Sequence, residues 1–445
     1  MASSSEVGRQ LVHIGAGLFA FLLRWLTWWQ AALCAIAAAL FNLTILPWLL
    51  GTGRVFRPGE TRWTSGIVIY PIAVLGLVLC FPAQLEIAAA AWAILAAGDG
   101  AATLVGAHVQ SRPLPWNRAK STAGLLAFVA FGALAATAAA AWMTNASGRM
   151  PAWWVLAGPT AAALIAGLVE TVPIRLNDNI SVPATAAAVL WSLSLLDESA
   201  WRASLPDVTA RILPAIATNV VVSLAGWRSR LVTLSGAIVG MIIGVAVFVG
   251  TGWQGWTLLF TAFLAAAIAT RAGLARKAAA GIAEARGGRR GPGNAIANTG
   301  LAAWAALLSA GVPNASVARL AMVAALVTSA SDTVASEVGK AIGKTTWLVT
   351  GFRRVPPGTS GAVSVEGTLA GIGAAGLLAA AAVWLDLLPA AWMPAVVAAA
   401  TLASLVESVL GATLEGPGIL DNHALNFVNS AVGAGLAVAA IAVVR

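Results

Sequence analysis

The chain has 445 residues, with 26 Lys and Arg against 17 Asp and Glu for a formal charge of +9, yet 59% of it is hydrophobic and its mean hydropathy is +0.86. Soluble domains are only about 45–50% apolar, so the composition excludes one; Ala-rich runs such as 127–141 do not alternate, which excludes a transmembrane β-barrel. The basic residues sit in short loops between apolar runs, as the positive-inside rule requires, and this removes nucleic acid as the reason for the charge.

Taken in order, apolar runs and their breakers predict helices at roughly 11–26, 28–50, 66–82, 85–108, 122–143, 153–172, 183–196, 209–226, 232–249, 255–273, 294–312, 317–338, 364–386, 391–411 and 423–444. The expected fold is therefore an all-α, polytopic membrane protein with about fifteen spans. The opening MASSSEVGRQ lacks a charged n-region, so no cleaved signal peptide is expected. Cys34 and Cys80 lie in apolar runs and are expected to be buried thiols. The loops at 51–65, 109–121, 274–293 and 339–363 are rich in Arg and Lys, whereas the alternate loops hold only Arg149, Arg202 and Arg319. This bias puts the N terminus and the basic loops in the cytoplasm, as in a bacterial inner membrane.

Scarce polar residues recur in the same order in both halves. Gly98-Asp99-Gly100 ends a span, Lys120-Ser121 with Gly124 opens the next, Glu170 ends a third, and Asp178-Asn179 opens a fourth. Later, Ser331-Asp332-Thr333, Thr359-Ser360-Gly361 with Glu366 and Gly367, Glu407-Ser408, and Asp421-Asn422 follow the same sequence of roles. The order predicts two parallel seven-helix repeats joined by one extra span. The expected domains are 1–200, a linking span 201–230, and 231–445. Parallel repeats set the chain apart from carriers built on inverted ones.

An acid at bilayer depth costs on the order of 2.5–3.5 kcal/mol and reads as functional. Asp99, Glu170, Asp332 and Glu407 are such acids, and hard carboxylate oxygens suit Mg²⁺. Asp99, Asp332 and Glu407 are the candidate metal ligands. Asp178 and Asp421 each stand beside an Asn in a loop, where a helix N-cap is the structural alternative. Lys120, Ser121 and Gly124 open a helix whose first N–H groups can hold an anion. Gly358, Thr359, Ser360 and Gly361 allow close backbone approach to phosphates, with Arg353 and Arg354 before them; Arg289, Arg290 and Asn294 lie in a second Gly/Arg-rich loop. The run from Gly339 to Gly343, Lys344 and Thr345 is no P-loop, because three residues rather than four separate its glycines.

At these residues the chain resembles two families joined end to end. Residues 9–182 are similar to CTP-dependent phytol and dolichol kinases through RxxxH at 9–13, GDGAATLVG at 98–106, PWNRAKSTAG at 115–124 and ETVPIRLNDN at 170–179, although Asn177 stands where an acid is expected. Residues 270–435 resemble the membrane family that includes phytyl-phosphate kinase, through EARGGRRGPGNAIAN, SDTVASEVGK, VPPGTSGAVSVEGTLAG and ESVLG followed by LDN. The resemblance implies consecutive reactions, alcohol to monophosphate and monophosphate to diphosphate, with CTP as phosphoryl donor and Mg²⁺. It implies that Asp99, Lys120, Glu170 and Asp178 serve the first site, and Asp332, Arg354, Ser360, Glu366, Glu407 and Asp421 the second. The expected partners are an isoprenoid alcohol, its phosphate and membrane lipids, with no nucleic acid and with homo-oligomerisation open. Two other readings stand beside this one: a cytidylyltransferase making a CDP-lipid, and a cation-coupled transporter.

Overall fold

A computed structural model describes residues 4–56, 61, 63, 65–148, 150–173, 176–416 and 419–444. Arg57, Arg62 and Arg149, which entered the orientation argument, and Arg175 lie outside the described residues. The chain divides into two compact units, Met1–Leu195 and Leu196–Arg445. The span expected to link them belongs to the second unit, as the helix Glu198–Arg228 packed on Leu234–Arg271.

Helices dominate both units. Ten helices among the described residues are long and apolar enough to cross a membrane. The other expected spans are also helical, in shorter pieces. Residues 66–82 give the helix Gly66–Cys80, 183–196 overlaps Asp178–Ser194, 294–312 overlaps Pro292–Ser309, and 11–26 divides between Ser4–Gly17 and a 3-10 turn, Leu18–Arg24. The runs 232–249 and 255–273 form one helical stretch, Leu234–Arg271, broken at Gly252 (φ 74°, ψ −167°), a backbone region essentially reserved for glycine. Both ends of this stretch reach Arg290: Thr233 N donates to Arg290 O at 3.0 Å, and the Arg290 guanidinium donates to Thr270 Oγ1 at 3.3 Å. The stretch is therefore a helical hairpin turning at Gly252.

Helix association in lipid relies on close packing of small residues rather than on burial from water. In the first unit the Ala-rich face Ala88–Ala91 of Leu85–Ala93 is fully buried, and Trp154 is sealed in by its indole N–H bond to Leu190 O (3.0 Å). In the second unit the helix Ala315–Ile342 is central, surrounded by the hairpin and by Pro292–Ser309, Val365–Trp384, Met393–Leu410 and Asn422–Val444. Each unit also has one small antiparallel sheet. Pro113–Leu114 pairs with Asn117–Ser121, and Thr346–Leu348 lies between Arg353–Val355 and Ala362–Ser364. Cys34 and Cys80 are exposed rather than buried. Apolar runs mark lipid-facing surface as readily as core, and Leu134, Leu213 and Leu377 share that exposed surface.

Candidate active sites

In the first unit the chain leaves regular α geometry at the acid. Ile94–Asp99 is a π-helical segment inside the helical stretch Leu85–His108, and π-bulges often mark functional positions. Asp99, its last residue, lies 3.5 Å from His13 Nε2, which also meets Leu95 O at 3.2 Å. Lys120, in the second strand of the small sheet, reaches the buried Glu170 in an ion pair, with Asp178 at 3.8 Å. Burial alone lowers the Lys120 ammonium; the hydrogen bond and charge of Glu170, then Asp178 and Asp99, outweigh it and raise the group above its ordinary value. At Asp178 burial raises the carboxyl, and Lys120 only partly offsets this. Asp99, Lys120, Glu170 and Asp178 thus form one electrostatic cluster.

Ser121 and Gly124 sit beside it with structural duties. Ser121 Oγ accepts from Gly124 N at 3.2 Å as the N-cap of Thr122–Ser147, and a Cβ on Gly124 would lie 3.7 Å from Gly106 Cα. Asn177 is likewise an N-cap, accepting from Asn179 N at 2.9 Å.

The second unit encloses a polar cavity of about 370 Å³. Asp332, Glu407, Arg290, Asn294, Gly358, Thr359, Ser360 and Gly361 all line it. The Asp332 and Glu407 carboxyls are within hydrogen-bonding reach of one another, yet Glu407 Oε2 has no donor among the described residues. Two facing carboxylates with an unfilled oxygen need a shared proton or a cation, and hard oxygen donors suit Mg²⁺. Among the described residues no cluster of three His, Cys, Asp or Glu side chains forms. Mg²⁺ needs no such cage, since it takes one or two carboxylates and completes its shell with waters and substrate phosphates. Asn426, in the amide orientation that satisfies its neighbours, donates to Glu407 Oε1 at 3.0 Å. Burial holds the Arg290 guanidinium below its ordinary value against the pull of Glu284 and Glu337.

Other expected residues lie outside this cavity wall. Arg353 and Arg354 are exposed on the small sheet, and Arg354 covers the Trp347 ring at 5.2 Å. Arg289 donates to Val232 O at 3.5 Å, Glu366 accepts from Lys344 N at 3.4 Å, and Asp421 accepts from Ala424 N at 2.8 Å as a helix cap. The loop Gly358–Gly361 does reach the cavity, and Ser360 donates to Glu415, an acid that sequence reasoning passed over.

Over 251 aligned residues the chain is 40% identical to "Uncharacterized membrane protein sll0875" of Synechocystis sp., spanning 55% of this chain and 95% of that protein. Residues 217–434 match the family described as integral membrane protein DUF92. The chain belongs to the DUF92 family. "Protein VTE6, chloroplastic" of Arabidopsis thaliana is 36% identical over 233 residues, 50% of this chain and 70% of that protein. "Probable phytol kinase 1, chloroplastic" of Glycine max is 30% identical over 199 residues, 41% of this chain and 65% of that protein. No solved structure matches. The DUF92 match contains every residue of the second-unit cavity and none of the first-unit cluster.

This DUF92 protein also holds a buried network that its sequence did not announce. Lys277, 0% exposed, donates to Glu337 Oε2 at 2.5 Å and to the carbonyls of Thr270 (2.8 Å) and Ala269 (3.2 Å), the last turn of the hairpin. Lys340 joins at 3.1 Å from Glu337 Oε1. The network fixes the hairpin end that receives Arg290. Lys277→Met is expected to destabilise the protein by about 1–3 kcal/mol, because the buried Glu337 keeps Lys340 but loses the partner of its other oxygen. The added Glu337→Leu change is expected to recover much of that loss. Thermal unfolding in detergent checks both, and an unchanged midpoint for Lys277→Met contradicts the assignment.

Proposed function

We propose that this DUF92 protein is a membrane-embedded isoprenoid kinase with two sites. The first unit phosphorylates phytol or a similar isoprenoid alcohol, and the second converts the monophosphate to the diphosphate, with CTP as donor. Relatives named as phytol kinases support the substrate class. The observation that carries the two-site reading is a shared local design. In each unit an acid (Asp99, Asp332) is followed two turns later by a glycine (Gly106, Gly339), then a small sheet, then a Ser-capped helix. Ser121 accepts from Gly124 N and Ser364 from Gly367 N. A Cβ on Gly124 would lie 3.7 Å from Gly106 Cα, and one on Gly367 would lie 3.2 Å from Gly339 Cα. This correspondence supports an internal duplication, with Ser364 rather than Ser360 as the partner of Ser121. The charge of the loops supports sites that face the cytoplasm of a bacterial inner membrane.

Phosphoryl transfer is mainly positioning and charge neutralisation. In the first unit the alcohol oxygen attacks the γ-phosphorus, the bond to the bridging oxygen breaks, CDP leaves, and the hydroxyl proton passes to a carboxylate of the Glu170–Asp178 pair. Lys120, held between those acids, turns its charge to the phosphates. In the second unit the monophosphate oxygen, which carries no proton, attacks the γ-phosphorus of a second CTP, the bond to its bridging oxygen breaks and CDP leaves; Asp332 and Glu407 would hold Mg²⁺, and Arg290 would position a phosphate. Mg²⁺ held there would neutralise the charge that two phosphates bring together. CTP labelled at the γ-phosphate is expected to label the lipid product. Label from the α-phosphate instead would overturn the reading in favour of cytidylyl transfer.

A further inference from the structure

The second unit contains another cavity, of about 140 Å³, against the hairpin. It adjoins the polar one: Arg290, Asn294, Asn298 and Thr333 line both. Its walls beyond these four are mostly apolar, with Ile243, Leu259, Phe260, Phe263 and Leu326 among them; of the hydroxyls there, Thr299 donates to Ala295 O and Ser329 to Asn298 Oδ1. At the far side stand Trp256 and Asn219. The Trp256 indole N–H donates to Asn219 Oδ1 at 3.1 Å, and Asn219 Nδ2 donates to Ala215 O at 2.9 Å, so these polar groups satisfy one another. Trp256 also stacks on Phe260 at 5.3 Å between ring centroids.

We propose that this cleft seats the isoprene units nearest the phosphate of a prenyl monophosphate, with the phosphate at Arg290 and the tail between the hairpin and the helices behind it. The inference rests on the second-unit kinase reading. Three observations favour this occupant over the nucleotide. A base and ribose need hydrogen-bond partners, and the cleft beyond its mouth offers mostly hydrocarbon, a satisfied Trp–Asn pair, and the Thr299 and Ser329 hydroxyls already donating to protein acceptors. The mouth carries a buried guanidinium whose Nε has no partner among the described residues, complementary to a phosphate dianion. The polar cavity next door already offers carboxylates, a glycine loop and amides to CTP. An amphiphile with a charged head and an apolar tail fits the join between the two.

Three glycines of the hairpin's first leg line the cleft, and they differ in use. A Cβ on Gly236 would fall 2.5 Å from Arg290 O, and one on Gly244 would fall 1.9 Å from Asn219 Oδ1, so both serve packing. A Cβ on Gly240 meets nothing within 4 Å. Gly240 is therefore the position where a side chain can fill the cleft without forcing the helices apart.

The test uses the full chain in nanodiscs with geranylgeranyl monophosphate, CTP and Mg²⁺. Gly240→Phe is expected to raise KM for the prenyl monophosphate by about tenfold or more, as misfit in an apolar pocket does, with KM for CTP unchanged. Gly240→Ala is expected to behave as the parent protein. Gly373→Phe, at an exposed glycine of Val365–Trp384 with nothing within 4 Å, controls for a bulky residue on a lipid-facing surface. A prenyl monophosphate with a benzophenone in its first isoprene units is expected to cross-link within 240–263. If diphosphate forms and Gly240→Phe leaves KM for the prenyl monophosphate unchanged, the cleft assignment is overturned and the kinase reading stands. If no phosphate is transferred but cross-linking to 240–263 occurs and is blocked by Gly240→Phe, the cleft stands and the kinase reading fails.

Discussion

Asp332→Ala is expected to leave a protein that consumes phytol and CTP but stops at the monophosphate. The effect follows from the separation of the two clusters. Asp332 faces Glu407 in a cavity built wholly from the second unit, whereas Asp99, Lys120, Glu170 and Asp178 come from the first. On the proposed reading, removing Asp332 leaves Glu407 as a lone carboxylate, and Mg²⁺ would lose one of the two protein ligands proposed for it. Loss of one group that stabilises transition-state charge lowers turnover by on the order of 10²–10³-fold. Diphosphate formation should fall by that factor while monophosphate accumulates. Asp332→Asn, which keeps the size and a hydrogen-bonding oxygen, should fail nearly as badly, because charge is what the site needs. Mass spectrometry of the lipid products checks both variants. Diphosphate at the parent rate from Asp332→Ala would remove the second unit from the reaction.

The complementary result is expected at Lys120. Lys120→Met should lower phytol phosphorylation by on the order of 10²–10³-fold, yet conversion of supplied phytyl monophosphate should continue. Lys120 sits between Glu170 and Asp178 with about a third of its side chain exposed, so it touches both the acids and the space where phosphates would lie. Its raised proton affinity keeps it charged throughout the assay range. Lys120→Arg should not restore the rate. A planar fork cannot occupy the compact space of an ammonium against Glu170. Some stability is also lost, because Glu170 is left buried beside Asp178; the retained second activity separates that from a general collapse. A variant inactive in both steps would assign Lys120 to folding alone.

The clustering of the intramembrane acids was legible in the sequence because lipid makes polar residues conspicuous. Asp99, Glu170, Asp332 and Glu407 interrupt apolar runs, and each lies in a cluster. Lys120 was legible from its place ahead of a Ser-capped helix. Charge outside the membrane is less telling, and there the structure places expected residues away from the cavity. Arg353 and Arg354 belong to an exposed strand, since a basic loop satisfies the orientation rule whether or not it binds phosphate. Asp421 spends an oxygen on Ala424 N, the capping role any helix-opening Asp can take. Lys277 and Glu337 lie 60 positions apart, and no periodicity ties a lysine in a short surface helix to an acid in a distant span. Glu415 was hidden because Gly411–Glu415 turns as a π-helix, which redirects side chains by an angle that α spacing does not anticipate. Gly252 reads as one glycine among 45, and only its backbone angles reveal a turn.

The hairpin that turns at Gly252 also serves as a ruler. Its legs, 234–251 and 253–271, are about 27 and 28.5 Å long at the rise of an α-helix, close to the roughly 30 Å of hydrocarbon in a bilayer. One end of the ruler is Arg290. The other is a polar patch where Asp207, Arg211, Arg319 and Asp386 gather around Gly250 and Gln254. Charged residues at both ends leave the second unit little freedom to rise or sink. On the proposed function, a phosphate at Arg290 would thereby sit at the depth of the lipid headgroups, where a water-soluble nucleotide and a membrane-bound chain can meet without either leaving its own solvent.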